Sequence, residues 1–81
     1  MSAPQTVSVP LVFWSDHEDR DLPTPTPTRR DGAKVVIPLY GAETDELLAD
    51  AEHYAHKDGP GSIGLKSSAR ATVKAISEAR R

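Results

Sequence analysis

Three histidines and a set of carboxylates are the residues of this 81-residue chain whose side chains could do chemistry. His53 and His56 are three positions apart, so on a helix they would be neighbours on its surface, with Glu52 beside them. Two histidines and one carboxylate could bind zinc or nickel. No second cluster supplies the remaining ligands, and the same pattern arises by chance in charged helices. We therefore predict no bound metal and no cofactor.

A second group of carboxylates lies in residues 15–21, a charged run that also contains His17. It could hold a hard cation, but its spacing lacks the glycine turn and the terminal glutamate of an EF-hand loop, so a solvated loop is preferred. Nucleophilic catalysis has no support, because the chain has no cysteine and no serine in a glycine-flanked elbow. Residues 59–64 are glycine-rich but lack the lysine of a phosphate-binding loop. We predict that the protein is not an enzyme.

Size and composition narrow the class of protein. The absence of cysteine excludes disulfides and thiolate metal sites. No apolar run approaches the roughly 20 residues that span a membrane, and the N-terminus lacks the pattern of a signal peptide. These features predict a soluble cytoplasmic protein that does not contact a membrane. A chain of 81 residues forms one domain with a thin core.

The clearest pattern lies in residues 34–57. Residues 34–40 alternate, with Val35, Ile37 and Leu39 on one face, which predicts a half-buried strand. Pro38 has no N–H, so this strand should lie at an edge or leave that side unpaired. Thr44 is the expected cap of a helix over residues 44–57, with an apolar stripe at helical spacing. Residues 58–61, with two glycines and a proline, should end it.

A second strand is predicted over residues 7–14, after a flexible tail over residues 1–6. Trp14 at its end is either a core or interface anchor or an exposed contact. Residues 15–33 form a proline-rich loop, in which LPTPTPT favours polyproline II as a semi-stiff spacer or as a ligand for a partner's groove. The Asp31–Gly32 pair is a turn signal at the start of the next strand.

A second helix is predicted over residues 64–79, with Ser62 as its cap and an apolar stripe facing the core. The fold class is therefore α+β: a small two-layer β-loop-β-α-α domain over residues 7–81, with two short strands and two antiparallel helices. So few elements give a thin core, and we expect a homodimer that buries the remaining apolar faces.

The two helices carry opposite charge. Residues 41–58 have six acidic residues and one basic residue, whereas residues 62–81 have five basic residues and one acidic residue. Two antiparallel helices of opposite charge could simply attract each other. Alternatively, the basic helix could face an anionic partner.

The strand, acidic helix, glycine turn and second helix of residues 34–81 resemble, in order and length, the ribbon-helix-helix group of dimeric DNA-binding proteins. The resemblance implies a two-stranded ribbon in the major groove and phosphate contacts from the start of the second helix. Of the strand's outward residues only Lys34 could hydrogen-bond a base edge. For phosphate contacts the candidates are five basic residues: Arg29, Arg30, Lys66, Arg70 and Lys74.

The other hypothesis is a regulatory or accessory module that binds a protein partner. Small cysteine-free chains without a catalytic constellation often serve this role, for example in phages and mobile elements, and the lack of asparagine fits a GC-rich source. Here the acidic elements would engage a basic partner surface. The candidate partner-binding residues are Trp14, Asp16, Glu18, Asp19, Asp50 and Glu52.

Overall fold

A computed structural model describes residues 5–56 and 63–81, with side chains in the second range from Leu65 onward. Within these ranges three strands and three helices follow one another: β1 (Thr6–Pro10), α1 (Leu11–Asp19), β2 (Arg29–Asp31), β3 (Lys34–Pro38), α2 (Ala42–Ala55) and α3 (Ile63–Ala79). The predicted α+β class is confirmed. The fold has one more strand and one more helix than the sequence predicts, because part of the predicted loop is ordered into α1 and β2.

The predicted strand over residues 7–14 is wrong beyond Pro10. Pro10 is the last residue with an extended backbone, at φ −59° and ψ 133°, and α1 begins directly after it. The Leu11 N–H donates to the Ala33 carbonyl at 2.9 Å, which anchors this change of direction to the sheet. Phe13 and His17 then lie one turn apart and are both buried. The charged run is therefore helical up to Asp19, and only residues after it are loop.

The sheet is antiparallel, in the order β1-β3-β2. β3 is thus the central strand and not an edge, so of the two arrangements that Pro38 predicted, the structure has the one in which the side of Pro38 is unpaired. Leu39 donates its N–H to Gln5 on the β1 side, so the nitrogen of the preceding Pro38 points to the β2 side. β2 ends opposite Val36, so that side of Pro38 is unpaired and no ladder bond is lost.

The first strand also begins earlier than predicted, at Thr6. Gln5 and Thr6, which were expected in a loose tail, pair with the end of β3, while residues 1–4 lie outside the described ranges. The predicted Asp31–Gly32 turn is confirmed: Gly32 has a φ of 64°, which a glycine adopts without strain.

Helix α2 begins at Ala42, two residues before the predicted cap. Gly41, at φ 129°, occupies the cap position, and Asp45 donates the first helical bond to its carbonyl. Thr44 is buried and donates its hydroxyl to the Pro38 carbonyl at 2.7 Å. It therefore ties α2 to β3 rather than capping the helix. The predicted end at residue 57, the stop at 58–61 and the Ser62 cap fall outside the described residues.

Helices α2 and α3 are antiparallel, as predicted. Arg70 near the start of α3 donates to the Ala55 carbonyl at the end of α2, and Arg80 just beyond α3 bonds Asp45 near the start of α2. Arg80 also donates to the Leu39 carbonyl from Nε and Nη2 and lies over the Tyr40 ring at 5.1 Å. Arg80 thus attaches the C-terminal end of α3 to the junction of β3 and α2.

The core is enclosed between the sheet and the helices. Apolar side chains from five of the six elements, together with Leu39, form one buried cluster: Val7, Val9, Phe13, Val35, Ile37, Leu39, Leu47, Ala51, Ala55, Ala69 and Ile76. The predicted inward face of β3 and the stripes of α2 and α3 are all represented. No helix in the described part of the chain is both long and apolar enough to cross a membrane.

Candidate functional site

His17 is the most unusual side chain of the described structure, because it is ionisable and yet only 1 % exposed. It lies on α1 with its ring 6.4 Å from that of Phe13. Nδ1 lies 2.7 Å from Oδ2 of Asp50 on α2, and Nε2 lies 2.8 Å from the carbonyl oxygen of Pro23. A single ring therefore joins α1, α2 and the proline-rich segment, residues 22–28.

Arg20 completes what we call the His17 cluster: Asp16, His17, Arg20 and Asp50. Its guanidinium donates to both carboxylate oxygens of Asp50, with Nη1 3.2 Å from Oδ1 and Nη2 bonded to Oδ2. Its Nε donates to Oδ2 of Asp16 at 3.0 Å. The guanidinium also lies over the Tyr54 ring, 4.9 Å from its centroid. The Arg20 guanidinium and the His17 ring thus meet two carboxylates at the place where α1 crosses α2.

The pKa of Asp50 lies below its ordinary value. Burial of the carboxyl opposes its ionisation, but hydrogen bonds from Arg20 and then His17 outweigh that effect and lower the pKa. The same contact with Asp50 raises the pKa of Arg20 above its usual range. Asp50 is therefore a carboxylate that His17 on α1 and Arg20 directly after α1 hold in its charged form.

The proline-rich segment packs against α1. The sequence instead suggested that it is a semi-stiff spacer or a ligand for a partner's groove. The indole N–H of Trp14 donates to the Pro25 carbonyl at 3.0 Å, and Pro25 is buried. His17 holds the Pro23 carbonyl two residues earlier. Trp14 is itself partly buried against the core, as the anchor reading predicts.

The predicted partner-binding residues divide into two groups. Glu18, Asp19 and Glu52 are exposed, whereas the side chains of Trp14 and Asp50 are engaged inside the fold. Asp16 is partly exposed and paired with Arg20.

Helical spacing on α2 decides which acidic residues can lie near α1. Glu46 is one turn before Asp50 and so lies on the side that α1 meets. Glu52 is seven residues after Asp45, which contacts Arg80, and so lies on the side nearer α3. Helical spacing therefore puts Glu46 on the same face of α2 as Asp50, and Glu52 on a different face.

The predicted nucleic-acid contacts are not brought together. Arg29 and Arg30 are exposed on β2, one edge of the sheet, and Arg29 lies 3.6 Å from Asp31. Helix α3 packs against β1, the other edge. On α3, Arg70 and Lys74 are exposed, and Arg70 also holds the end of α2. Lys66, at the start of α3, is partly buried.

The metal hypothesis finds no cluster to support it in the described ranges. His53 and His56 are exposed, and the His53 ring packs edge-on against Tyr54. Across residues 5–56 and 63–81 no group of three or more histidine or acidic residues is placed to hold a metal ion.

An open cavity of about 210 Å³ lies between the proline-rich segment and the start of α2. Pro25, Pro38 and Tyr40 supply its apolar walls, and the first turn of α2 supplies Glu43 and Thr44. Glu43 and Tyr40 are the ionisable side chains among its lining residues.

Sequence reasoning missed the His17 cluster, because it placed His17 in a loop. Two signals were available: Phe13 and His17 are four residues apart, and so are Asp16 and Arg20, an acid–base pair typical of a helix.

Comparison with known proteins adds nothing to this site, since no family model, no curated protein and no solved structure matches the chain.

Proposed function

We propose that this chain is a non-catalytic regulatory or accessory module of the cytoplasm, of the kind found in phages and mobile elements, and that it acts by binding a protein partner. The proposed contact is the acidic face, which we define as Glu18 and Asp19 of α1 and Glu46 of α2. One observation carries the proposal: Arg20 bridges Asp16 and Asp50, which fixes two acidic helices against each other.

The chemistry of the His17 cluster supports binding over catalysis. A histidine–aspartate pair can act as a general base only if the second ring nitrogen is open to a reacting group. In His17 that nitrogen is bonded to the Pro23 carbonyl, and the ring is buried. The pair is therefore suited to holding elements together.

The charge layout supports a basic protein surface as the partner. Exposed carboxylates on rigid, adjacent helices attract a cationic surface and set its orientation. The exposed candidates for phosphate contacts are instead divided between β2, at one edge of the sheet, and α3, which packs at the other edge, and this division disfavours a nucleic acid as the partner. Trp14 and Asp50 contribute by holding α1 in place rather than by touching the partner.

Charge reversal on matched surfaces tests the proposal. The acidic-face variant carries Glu18→Lys, Asp19→Lys and Glu46→Lys, and the control carries Arg30→Glu and Lys74→Glu. The fold of each protein is checked by circular dichroism. Each protein is then immobilised and incubated with cell extract, and the extract proteins that it retains are quantified at low and high salt. We expect a partner that wild type and control retain and that the acidic-face variant loses.

High salt should release the same partner, because exposed charges are screened beyond about 10 Å at 0.1 M salt. Glu52→Lys is measured separately, since its position on α2 predicts a smaller effect. Equal retention by all three proteins, or loss in the control alone, would contradict the acidic face as the contact.

The exposed pair Arg70 and Lys74, four residues apart on α3, favours one alternative: a dimeric DNA-binding regulator of the ribbon-helix-helix type. Arg29, Arg30 and Lys66 would add phosphate contacts. Titration of a labelled DNA duplex separates the two functions. Binding that weakens steeply with salt, and that Lys74→Glu reduces, would support this alternative.

A further inference from the structure

Both ring nitrogens of the buried His17 face hydrogen-bond acceptors. Nδ1 faces the Asp50 carboxylate, and Nε2 faces the Pro23 carbonyl. A neutral imidazole has one N–H, whereas the imidazolium has two. Only the doubly protonated ring can therefore make both contacts, and we propose that His17 is a proton-dependent latch that holds the proline-rich segment on α1. This inference is independent of the proposed partner.

The His17 ring lies among charged and polar groups from α1, α2 and the proline-rich segment. From α2, the Asp50 carboxylate faces Nδ1, and Tyr54 lies under the neighbouring Arg20. Arg20, directly after α1, donates to the same carboxylate and, through Nε, to Asp16 of α1. The proline-rich segment contributes a carbonyl, and Phe13 an apolar ring. With an imidazolium, this set contains two positive and two negative groups.

Loss of one proton has a directed effect. The N–H that faces a carboxylate is the stronger hydrogen bond, so the neutral ring keeps hydrogen on Nδ1. Nε2 then presents a lone pair to the lone pairs of the Pro23 carbonyl at a distance of 2.8 Å. That contact changes from attractive to repulsive, and the segment loses one of its two attachments to α1. The other attachment, from Trp14 to Pro25, does not titrate.

The chain contains its own reporter for this step. Trp14 is the only tryptophan of the sequence, and its indole N–H is bonded within the segment that His17 holds. Release at Pro23 should therefore change the environment of Trp14 and its fluorescence. Because the contact to Pro23 needs the second ring proton, which is lost as pH rises, the change should occur on alkaline titration.

The experiment records the ring nitrogens of His17 by ¹⁵N NMR and the Trp14 emission over the same pH series from about 5 to 9, a range that brackets histidine titration. We expect two protonated nitrogens at low pH and loss of hydrogen from Nε2 as pH rises. The Trp14 emission should shift with the same midpoint. His53→Gln and His56→Gln, at exposed positions, should leave that step unchanged, whereas His17→Gln should remove it.

The wild-type spectra keep the test decisive even if His17→Gln does not fold. A single protonated ring nitrogen throughout the folded range would overturn the latch. So would loss of hydrogen from Nε2 with no accompanying change in Trp14 emission, because the segment would then be held without the proton.

Discussion

At the scale of single residues, Asp50 is the side chain on which most contacts depend. It accepts hydrogen bonds from His17 and from Arg20, and these donors lower its pKa below the ordinary value. A carboxylate with a lowered folded-state pKa stabilises the protein above its unfolded pKa, and the contribution is lost as pH falls through the folded value. Its effect on stability should therefore be largest at neutral pH.

We predict that Asp50→Asn lowers the free energy of unfolding by about 1–3 kcal/mol at pH 7, because Arg20 and His17 lose their carboxylate partner. The difference from wild type should shrink as pH falls below about 4, where the carboxyl of an unfolded aspartate is protonated. Denaturant titration at pH 7, 5 and 3 measures this difference. Glu18→Gln, at an exposed carboxyl outside the cluster, is the control and should change stability little at pH 7. A difference independent of pH would mean that the charge of Asp50 contributes nothing.

At the scale of elements, the residues that follow α1 include a strained backbone conformation, at Asp21. Asp21 has a φ of 59°, the left-handed region, and its N–H donates to the Glu18 carbonyl at 3.0 Å. This geometry closes the helix and directs the chain back toward Pro23. Glycine adopts it without a Cβ penalty, whereas other residues adopt it at a cost of about 1 kcal/mol.

We predict that Asp21→Gly raises the free energy of unfolding by about 0.5–1 kcal/mol, even though glycine is the more flexible residue when unfolded. Removal of a negative charge at a helix C-terminus would act in the same direction. Asp21→Asn removes the charge and keeps a side chain, so it should give a smaller gain. Thermal unfolding measures all three proteins. Destabilisation by Asp21→Gly would show that the aspartate side chain makes a favourable contribution that outweighs the strain.

Elements with a long, regular pattern could be predicted from the sequence, and those decided by distant contacts could not. β3, α2 and α3 follow from periodicity, and the inward side chains Val35, Ile37 and Leu47 are buried as expected. The strand-to-helix change at Pro10 depends on the Leu11 bond to Ala33 across the sheet. The short β2 exists because β3 pairs with it, since its own three residues are charged and exposed.

The candidate site was less predictable than the fold, for the same physical reason. Exposure separates Glu18 from Asp50, and a linear sequence does not show which carboxylate will meet a cation from another helix. The partners of His17 lie 33 and 6 residues away, on elements whose packing sets the distance. The acidic character of α2 could be predicted, but its pairing with α1 through Arg20 could not.

At the scale of the whole molecule, the core is enclosed within one chain. Two strands and three helices supply its side chains, so the sharing of apolar faces between two chains is not needed for burial. We predict that the denaturant midpoint is independent of protein concentration over an approximately 100-fold range, because mass action makes stability concentration-dependent only when association adds to folding.

Light scattering on the same samples measures the predicted homodimer directly. A dimer with a constant midpoint would be formed weakly, by surface contact between chains that are already folded. A midpoint that rises with concentration would instead mean that folding and association are coupled, and that the exposed apolar side chains Val12, Leu22 and Tyr40 include part of a shared interface.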